Sequence, residues 1–360
     1  MSGSQPIVWC LLGRKAGDNA QVLALAEELG VEHEEKNIMA QPWELFTHLK
    51  LQVTLAGIDR ANSSPLEAPW PRLIITAGRR NEPVARWIMH QSGGYTRLVH
   101  IGRPWAPLET YDLIVTTPQY FLPRRNNILH NRLPLHRLLP YELEPAAESL
   151  LPALQGLPRP WIALLVGGDS GKFVFTVAKG KRLGHLASRL AGRHGGSLLL
   201  ADGPRTPKST GDALESSLRV PHYCYRWGRG TENPYRGMLA LADAFVVTGD
   251  SMSMLSEALA MGKPLYIFDM GDGSKPWWKS AHNYRYKPLS HRLGMGLGPQ
   301  RMWRDVGKIQ QSLIDTGDAG WLDESSAEDD LMSAPGQPGA GPNEELKVTT
   351  EAVRRLLQSG

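Results

Sequence analysis

The chain has 360 residues, which is long enough for two domains, and its apolar fraction of 41% can form a substantial core. Charged residues make up 21% and cysteines number two, which excludes a wholly disordered chain and a disulfide scaffold. Residues 315–360 hold ten of the 36 acidic and three of the 40 basic residues, so residues 1–314 carry a formal charge of +11.

This basic charge favours an anionic partner, such as nucleotide phosphates or an anionic lipid surface. The aromatic residues are not interleaved with basic ones, so we do not expect nucleic acid as a partner. The apolar stretch near the N-terminus is too short for a secretion signal, and the run Trp161–Val166 is too short for a membrane span. We therefore expect a cytoplasmic protein, either soluble or attached peripherally to the inner face of the membrane.

The first half of the chain predicts parallel strands joined by crossover helices. Short apolar runs predict four buried strands, over Ile7–Leu12, Leu73–Thr76, Leu98–Ile101 and Leu113–Thr116. Helical patterns follow the first two strands, over Asn19–Leu29 and near Pro83–His90. Residues 117–160 are rich in proline and predict an irregular connection, with one short helix around Glu142–Leu154 and a domain boundary at Leu157–Pro160.

The same alternation begins again at residue 161. Five further strands are predicted, over Trp161–Val166, Ser197–Ala201, Val220–Tyr225, Ala244–Thr248 and Pro264–Phe268. Four helices are predicted, near Ala178–Ala191, Asp212–Leu218, Tyr235–Ala242 and Ser251–Met261. The sequence thus predicts an α/β protein with two Rossmann-like doubly wound domains, over residues 1–157 and 158–316. The acidic, Gly/Pro/Ser-rich residues 317–343 predict a disordered linker, and a final helix is predicted within residues 344–360.

The strongest candidate site follows the strand that ends at residue 248. Doubly wound domains bind ligands at the carboxyl ends of their strands, where a helix N-terminus attracts phosphate. Gly249 provides a tight turn, and Asp250 or Ser251 is expected to cap the next helix. Ser251 and Ser253 could hold a pyrophosphate, and Glu257, which shares a helix face with Ser253, could accept hydrogen bonds from a ribose. A capped helix with a solvated glutamate is the alternative.

Other strand ends in the second half carry similar chemistry. Gly168 and Ser170 belong to the turn GGDSGK, which lacks the spacing of a P-loop but could contact phosphate through its backbone. Arg205 and Thr206 follow the next strand, and Arg205 could neutralise a phosphate or be an ordinary surface arginine. Asn233 lies in a polar loop that could meet the base or the pyrophosphate.

In the first half, the segment that follows the first strand could bind an anionic acceptor. Its candidate binding residues are Gly13, Arg14, Lys15 and Gly17. Asp18 could act as a general base, although a helix cap at Asp18 or Asn19 is the equal alternative. Gly78 and Arg79 add to this site at a neighbouring strand end, unless they form a solvated basic rim. The histidines and cysteines form no metal-ligand pattern, so no metal site is predicted.

Taken together, five stretches resemble the bacterial branch of the mitochondrial fission family, named for a plant protein whose loss gives elongated mitochondria. They are GRKAGDNAQ, ITAGRR, VGGDSGKFVFT, SLLLADGPRTP and the most specific one, residues 232–275. The bacterial members are regarded as glycosyltransferases of GT-B architecture. The resemblance therefore implies a GT-B-like fold, in which two Rossmann-like domains face each other across a cleft and the final helix returns to the first domain.

A second resemblance concerns Met254–Pro264, which is similar to the donor-site helix of GT-B enzymes such as the bacterial lipid-linked peptidoglycan glucosaminyltransferase. In that helix a glutamate holds the ribose of the nucleotide sugar, and this role falls on Glu257. Ser251 and Ser253 would face the diphosphate. GT-B enzymes need no bound metal, so we expect no cofactor other than the nucleotide diphosphate sugar as co-substrate.

These observations predict a glycosyltransferase that moves a sugar from a nucleotide sugar to a lipid-linked, polysaccharide or other envelope-type acceptor. The second domain would bind the donor, the first would bind the acceptor, and Asp18 would take the proton of the attacking hydroxyl. One alternative is a GT-B scaffold without catalytic activity that binds a membrane or a partner. Another is a nucleotide-sugar epimerase, although the sequence has no Tyr-x-x-x-Lys pair for the short-chain version.

Overall fold

The computed structural model describes residues 8–44, 52–138, 140–230, 232–272, 288–300, 303–326, 331 and 344–358. It divides the chain into two compact units. Unit 1 comprises Met1–Arg137, Gln300–Arg304 and Asn343–Gly360, and unit 2 comprises Leu138–Pro299 and Asp305–Pro342.

Unit 1 is built on a parallel sheet of six strands in the order β2-β1-β3-β4-β5-β6. The strands are β1 (Val8–Leu12), β2 (His33–Asn37), β3 (Leu73–Ala77), β4 (Arg97–Ile101), β5 (Leu113–Thr116) and β6 (Ile128–His130). Helix α1 (Ala16–Leu29) follows β1, and helix α2 (Glu82–Gln91) follows β3. β2 and β6 are not among the predicted strands, because they lie at the two edges of the sheet and lack a continuous apolar run.

Unit 2 repeats this architecture with the strand order β12-β11-β10-β7-β8-β9, again all parallel. Its strands are β7 (Trp161–Val166), β8 (Ser197–Asp202), β9 (His222–Tyr225), β10 (Ala244–Thr248), β11 (Leu265–Phe268) and β12 (Gly320–Trp321). Its helices are α3 (Pro140–Leu150), α4 (Val177–Arg193), α5 (Lys208–Glu215), α6 (Tyr235–Leu241), α7 (Met252–Ala260), α8 (Pro288–Leu297) and α9 (Gly307–Asp315). The predicted α/β fold with two Rossmann-like units is confirmed by these two sheets.

Two predicted boundaries differ from the structure. Unit 2 begins after Arg137 rather than at Leu157–Pro160, because α3 packs closely against α6: a Cβ on Gly237 would lie 2.5 Å from the Ala146 carbonyl oxygen. The linker predicted from residue 317 is also wrong at its start. Residues 320–321 form β12, which pairs with β11, and the flanking Ala319 and Leu322 are buried. Residues 327–330 and 332–343 lie outside the described part of the chain.

The final helix, α10 (Glu344–Gln358), belongs to unit 1. Leu346 and Val353 are buried in the same apolar cluster as the inner face of α1. Asn131, just after β6, donates a hydrogen bond of 3.0 Å to the Thr349 hydroxyl. Residues from the two ends of the chain therefore share one core.

Each sheet reverses its strand order at one point, between β1 and β3 in unit 1 and between β10 and β7 in unit 2. Neighbouring connections leave in opposite directions there and open a crevice at the carboxyl ends of the strands, where ligands of such folds bind. The predicted acceptor residues follow β1 and β3, and the predicted donor residues follow β7, β8 and β10. No helix in the described ranges is long and apolar enough to cross a bilayer.

Candidate functional site

The crevice of unit 2 is held together by hydrogen bonds among three strand ends. After β7, the Gly167 N–H donates to the Thr248 hydroxyl at 2.8 Å, and the Gly168 N–H donates to the Asp250 carboxylate at 3.0 Å. The hydroxyl of Thr206, which follows β8, donates a hydrogen bond to the Gly167 carbonyl. Predicted donor residues from distant parts of the sequence are thus brought to one place.

Asp250 is the centre of this arrangement. Its side chain is fully buried, and its Oδ2 lies 3.0 Å from Nη2 of Arg205. Arg205 also donates to the Asp169 carbonyl at 3.1 Å. Burial raises the pKa of the Asp250 carboxyl, while the charge of Arg205 opposes that rise. The prediction that Asp250 could cap the next helix is therefore wrong, because its carboxylate is directed towards the Gly168 N–H and Arg205.

Helix α7 begins at this crevice. Ser251 occupies the cap position but makes no side-chain capping hydrogen bond, contrary to expectation. The first intrahelical bond runs from the Leu255 N–H to the Ser251 carbonyl at 3.1 Å, so the N–H groups of residues 252–254 have no partner within the helix. Ser253 is half-buried in this first turn. The arrangement can bind an anion through backbone donors and the helix dipole.

Glu257 lies one turn further along α7 and is oriented by a residue that the sequence analysis missed. The Tyr235 hydroxyl donates a hydrogen bond to Glu257 Oε2. Burial raises the pKa of Glu257, and this hydrogen bond and Arg236 oppose that rise. Asn233 accepts the Tyr235 N–H at 3.1 Å and so shapes the start of α6. No local pattern signals that Tyr235 and Glu257 meet, because they lie on different helices.

Two glycines of the crevice are required by close packing. Gly168 has φ +150°, and a Cβ there would lie 2.2 Å from the Arg205 carbonyl oxygen. A Cβ on Gly249 would lie 2.4 Å from the Gln310 amide nitrogen, which donates a hydrogen bond to the Gly249 carbonyl. Ser170 forms a tight turn in which its backbone exchanges hydrogen bonds with Phe173. The glycines therefore allow the loops to approach each other, and Ser170 has a structural place in its turn.

In unit 1 the segment after β1 is folded around an asparagine. The Asn19 amide donates to the Gly13 carbonyl at 2.8 Å and accepts the Gly13 N–H at 2.9 Å. Helix α1 begins at Ala16, with Lys15 in the cap position and no side-chain capping bond. The alternative that Asp18 or Asn19 caps this helix is therefore wrong. Arg14 and Gly17 are exposed at the same turn, where the Gly17 carbonyl accepts a hydrogen bond from Gln21.

Asp18 lies between the ends of β1 and β3. Its Oδ2 is 3.5 Å from Nζ of Lys15, and a Cβ built on Gly78 would lie 2.6 Å from the same oxygen. Gly78 has φ +68°, so a side chain there would be strained as well as crowded. Arg79 follows, with its guanidinium 4.4 Å from the ring centroid of Trp105. The structure thus brings Lys15, Asp18, Gly78 and Arg79 together, as predicted for one site.

Comparison with known proteins places this architecture in a family. The family model described as mitochondrial fission ELM1 matches residues 16–286. The mitochondrial fission protein ELM1 of Arabidopsis thaliana is 25% identical over 240 residues, which are 60% of this chain and 56% of that protein. The chain therefore matches little more than half the length of this relative. The uncharacterized protein RP120 of Rickettsia prowazekii (strain Madrid E) is 24% identical over 301 residues, which are 72% of this chain and 82% of that protein.

The comparison with solved structures also matches the MurG protein of Acinetobacter baumannii, with 11% identity and a TM-score of 0.47 over 99% of this chain and 100% of that one. The UDP-GlcNAc 2-epimerase of Neisseria meningitidis bound to UDP-GlcNAc gives 12% identity and a TM-score of 0.47 over 97% and 99%. Because the family model covers well over half of the residues, the predicted resemblance is confirmed, and the chain belongs to the mitochondrial fission ELM1 family.

Proposed function

We propose that the protein is a glycosyltransferase in which unit 2 binds a nucleotide diphosphate sugar and unit 1 binds the acceptor. The uncapped N-terminus of α7 carries this proposal, because it lies beside the Gly168 turn with Glu257 one helical turn away. Backbone donors at a helix start suit a diphosphate, and a carboxylate at that distance suits a pair of ribose hydroxyls. The reaction class rests on this site and on the family resemblance.

The chemistry of each donor-site residue follows from its contacts. The first-turn N–H groups of α7 and the Ser253 hydroxyl would donate to the diphosphate. Arg205 would add positive charge at the same crevice, where its pairing with buried Asp250 limits how far the guanidinium can turn. Tyr235 occupies one Glu257 oxygen, which fixes the carboxylate while leaving it capacity to accept bonds from a ribose.

In the proposed reaction an acceptor hydroxyl oxygen attacks the anomeric carbon of the donor sugar. The bond between that carbon and the diphosphate oxygen breaks, and its electron pair leaves with the diphosphate. Asp18 takes the proton of the attacking hydroxyl, and Lys15 stabilises the Asp18 carboxylate before the transfer. The helix dipole of α7 and Arg205 stabilise the leaving group, so the proposal includes no metal or other cofactor.

The acceptor side of the proposal depends on charge. Unit 1 presents Lys15 and Arg79 at the carboxyl end of its sheet, and such a basic surface suits a polysaccharide or lipid-linked acceptor that carries negative charge. A lipid-linked acceptor would place the protein peripherally at the inner face of an anionic membrane.

Calorimetric titration of the full chain without metal against UDP, GDP, CMP, ADP and dTDP tests the donor site. We expect saturable binding of one nucleoside diphosphate, weakened about tenfold or more in Glu257→Gln, because the ribose loses a charged acceptor. Glu148→Gln is a matched control, since Glu148 is exposed on α3 of the same unit. Binding of none of these nucleotides by folded protein would contradict the proposal and favour a scaffold without catalytic activity.

A further inference from the structure

Three cations converge at the carboxyl end of the unit 1 sheet. Lys15 and Arg79 follow β1 and β3, and Arg304 reaches the same place from a segment that is distant in sequence but part of unit 1. Arg304 Nε donates to Gln119 Oε1 at 3.1 Å, and its guanidinium lies 5.9 Å from the ring centroid of Tyr120. Gln119 and Tyr120 follow β5, so the cluster spans several strand ends.

The charges of these cations act on one another. Asp18 raises the pKa of Lys15, but desolvation and the charges of Arg304, Arg79 and Arg80 lower it overall. Desolvation and the charge of Arg80 lower the pKa of Arg79, the carboxylates of Glu82 and Glu44 oppose that change, and the charge of Arg304 adds a smaller lowering. Cations that repel one another in this way are stabilised when an anion binds among them.

Aromatic rings orient two of the three cations. Arg79 lies over Trp105, and Arg304 lies over Tyr120. A ring face holds a guanidinium in place while the group keeps its charge and its donors. Helix α1 begins at Ala16 without a side-chain cap, so its partial positive charge adds to that of the cluster.

A small cavity of about 30 Å³ lies beside this cluster, between α1 and the sheet. Asp18, Gly78, Thr116, Tyr120 and Asn131 are among the residues that line it. The Thr116 hydroxyl is buried and has no hydrogen-bond partner within the described ranges. A cavity of this size holds one water molecule or one hydroxyl group, and a buried hydroxyl without a partner favours a polar occupant.

From this geometry we infer that unit 1 binds a phosphorylated acceptor. Its phosphate lies among Lys15, Arg79 and Arg304 at the start of α1, and a hydroxyl of the same molecule enters the cavity beside Asp18 and Thr116. The inference rests on the proposed function only in naming the ligand an acceptor, since the phosphate site itself is independent of unit 2. A soluble sugar phosphate and a lipid phosphate share this chemistry.

Calorimetric titration of the full chain with inorganic pyrophosphate, both alone and in the presence of a saturating concentration of any nucleotide that binds unit 2, tests the site. We expect saturable binding that is weakened about ten- to hundredfold in Arg304→Gln and in Lys15→Gln, because each loses a charge-assisted hydrogen bond. Arg60→Gln removes the same charge from an exposed position of unit 1 and should change the dissociation constant less than about twofold. Lys15 is exposed, so its variant keeps the assay valid if Arg304→Gln fails to fold.

Two further experiments distinguish a soluble sugar phosphate from a lipid phosphate. Competition by glucose 1-phosphate would indicate a soluble acceptor. Sedimentation with phosphatidic acid vesicles, but not with phosphatidylcholine vesicles, that is lost in Lys15→Gln and kept in Arg60→Gln would indicate a lipid acceptor. Either result supports the inference.

The inference is overturned if folded protein does not bind pyrophosphate, or if Arg60→Gln weakens binding as much as Lys15→Gln. It is also overturned if Glu257→Gln, rather than Lys15→Gln, abolishes pyrophosphate binding. Failure of the nucleotide titration, with pyrophosphate binding still dependent on Lys15, would contradict the proposed function and leave the phosphate site intact.

Discussion

The crevices of the two units share a backbone arrangement but differ in the side chains that surround it. In each, a helix begins where the strand order reverses, α1 in unit 1 and α7 in unit 2, and its cap residue, Lys15 or Ser251, makes no side-chain capping hydrogen bond. Around α1 two exposed cations, Lys15 and Arg79, lie beside the carboxylate of Asp18. Around α7 the polar side chains are the hydroxyls of Ser251 and Ser253, and the nearby Arg205 is paired with the buried Asp250.

This difference indicates which ligand group each crevice suits. Exposed cations attract an anion at long range and bind it through charge, which fits a ligand recognised mainly by its phosphate. At α7 the first-turn N–H groups and the hydroxyls of Ser251 and Ser253 suit a diphosphate, and the carboxylate of Glu257, oriented by Tyr235, suits a ribose. A buried carboxylate supports a loop in both units: Asp250 accepts the Gly168 N–H, and Glu82 accepts the Trp105 N–H at 2.8 Å.

The largest expected effect comes from a substitution that disrupts the packing of the unit 2 crevice. Gly168→Ala should destabilise the protein by about 2–3 kcal/mol and abolish nucleotide binding, because the new Cβ would collide with the Arg205 carbonyl. Gly203→Ala is the matched control, since its Cβ would meet only an ordinary contact of 3.6 Å. Chemical denaturation and calorimetry measure both effects. Equal stability of the two variants would contradict the packing described for Gly168.

A pH effect of similar size is expected in unit 1. Burial raises the pKa of Glu82 to about 7, so its contribution to stability is full below its ordinary pKa of 4.5 and is lost as pH rises to 7. Burial lowers the pKa of His100 to about 3, so its contribution is lost as pH falls below 6.5. Between pH 4.5 and 6.5 the two effects oppose each other.

Glu82→Gln should therefore expose the His100 effect. We expect its stability to rise by about 2 kcal/mol from pH 5 to pH 6.5, relative to the unmodified protein over the same range. Denaturant unfolding at several pH values measures this difference, with the exposed Glu148→Gln as control. A difference between variant and parent that does not change with pH would show that Glu82 titrates normally.

A smaller effect concerns the turn after β1. Asn19→Ala should destabilise the protein by about 1–2 kcal/mol, because the partly buried Gly13 backbone loses two hydrogen bonds. Asn126→Ala, at an exposed position of unit 1, should change stability by less than about 0.5 kcal/mol. Thermal unfolding measures the melting temperatures of both variants. Equal melting temperatures would contradict a stabilising role for the two hydrogen bonds between Asn19 and Gly13.

The smallest expected effect concerns the hydrogen bond from the Tyr235 hydroxyl to Glu257. Tyr235→Phe keeps the ring but releases Glu257, so nucleoside diphosphate binding should weaken about three- to tenfold. Tyr141→Phe, which alters an exposed tyrosine of α3, should bind as the parent does. Calorimetry measures both. Unchanged binding in Tyr235→Phe would mean that Glu257 does not need this partner.

The sequence predicts the centre of each sheet better than its edges. β7 matches its predicted range Trp161–Val166, because a strand covered on both faces is a continuous apolar run. β2 (His33–Asn37) and β12 (Gly320–Trp321) are edge strands, and pairing with a neighbour rather than an apolar pattern determines them. The β12 pairing also explains why composition wrongly indicated disorder from residue 317.

The candidate sites were also predictable only where the sequence carries a local signal. Loops after strands were predictable, since parallel strands place their carboxyl ends together. Partners far apart in sequence were not: neither the pair of Arg205 and Asp250 nor that of Gln119 and Arg304 has a local signal. These long-range contacts decide which way each charged side chain points.

Hydrogen exchange of the full chain, measured with and without the nucleoside diphosphate that binds, tests the central claim most directly. The account predicts slower exchange in peptides covering residues 167–170 and 251–257, with little change at residues 13–18 and 78–80. Protection confined to residues 13–18 and 78–80 would place the nucleotide in unit 1 and contradict the assignment of the donor to unit 2.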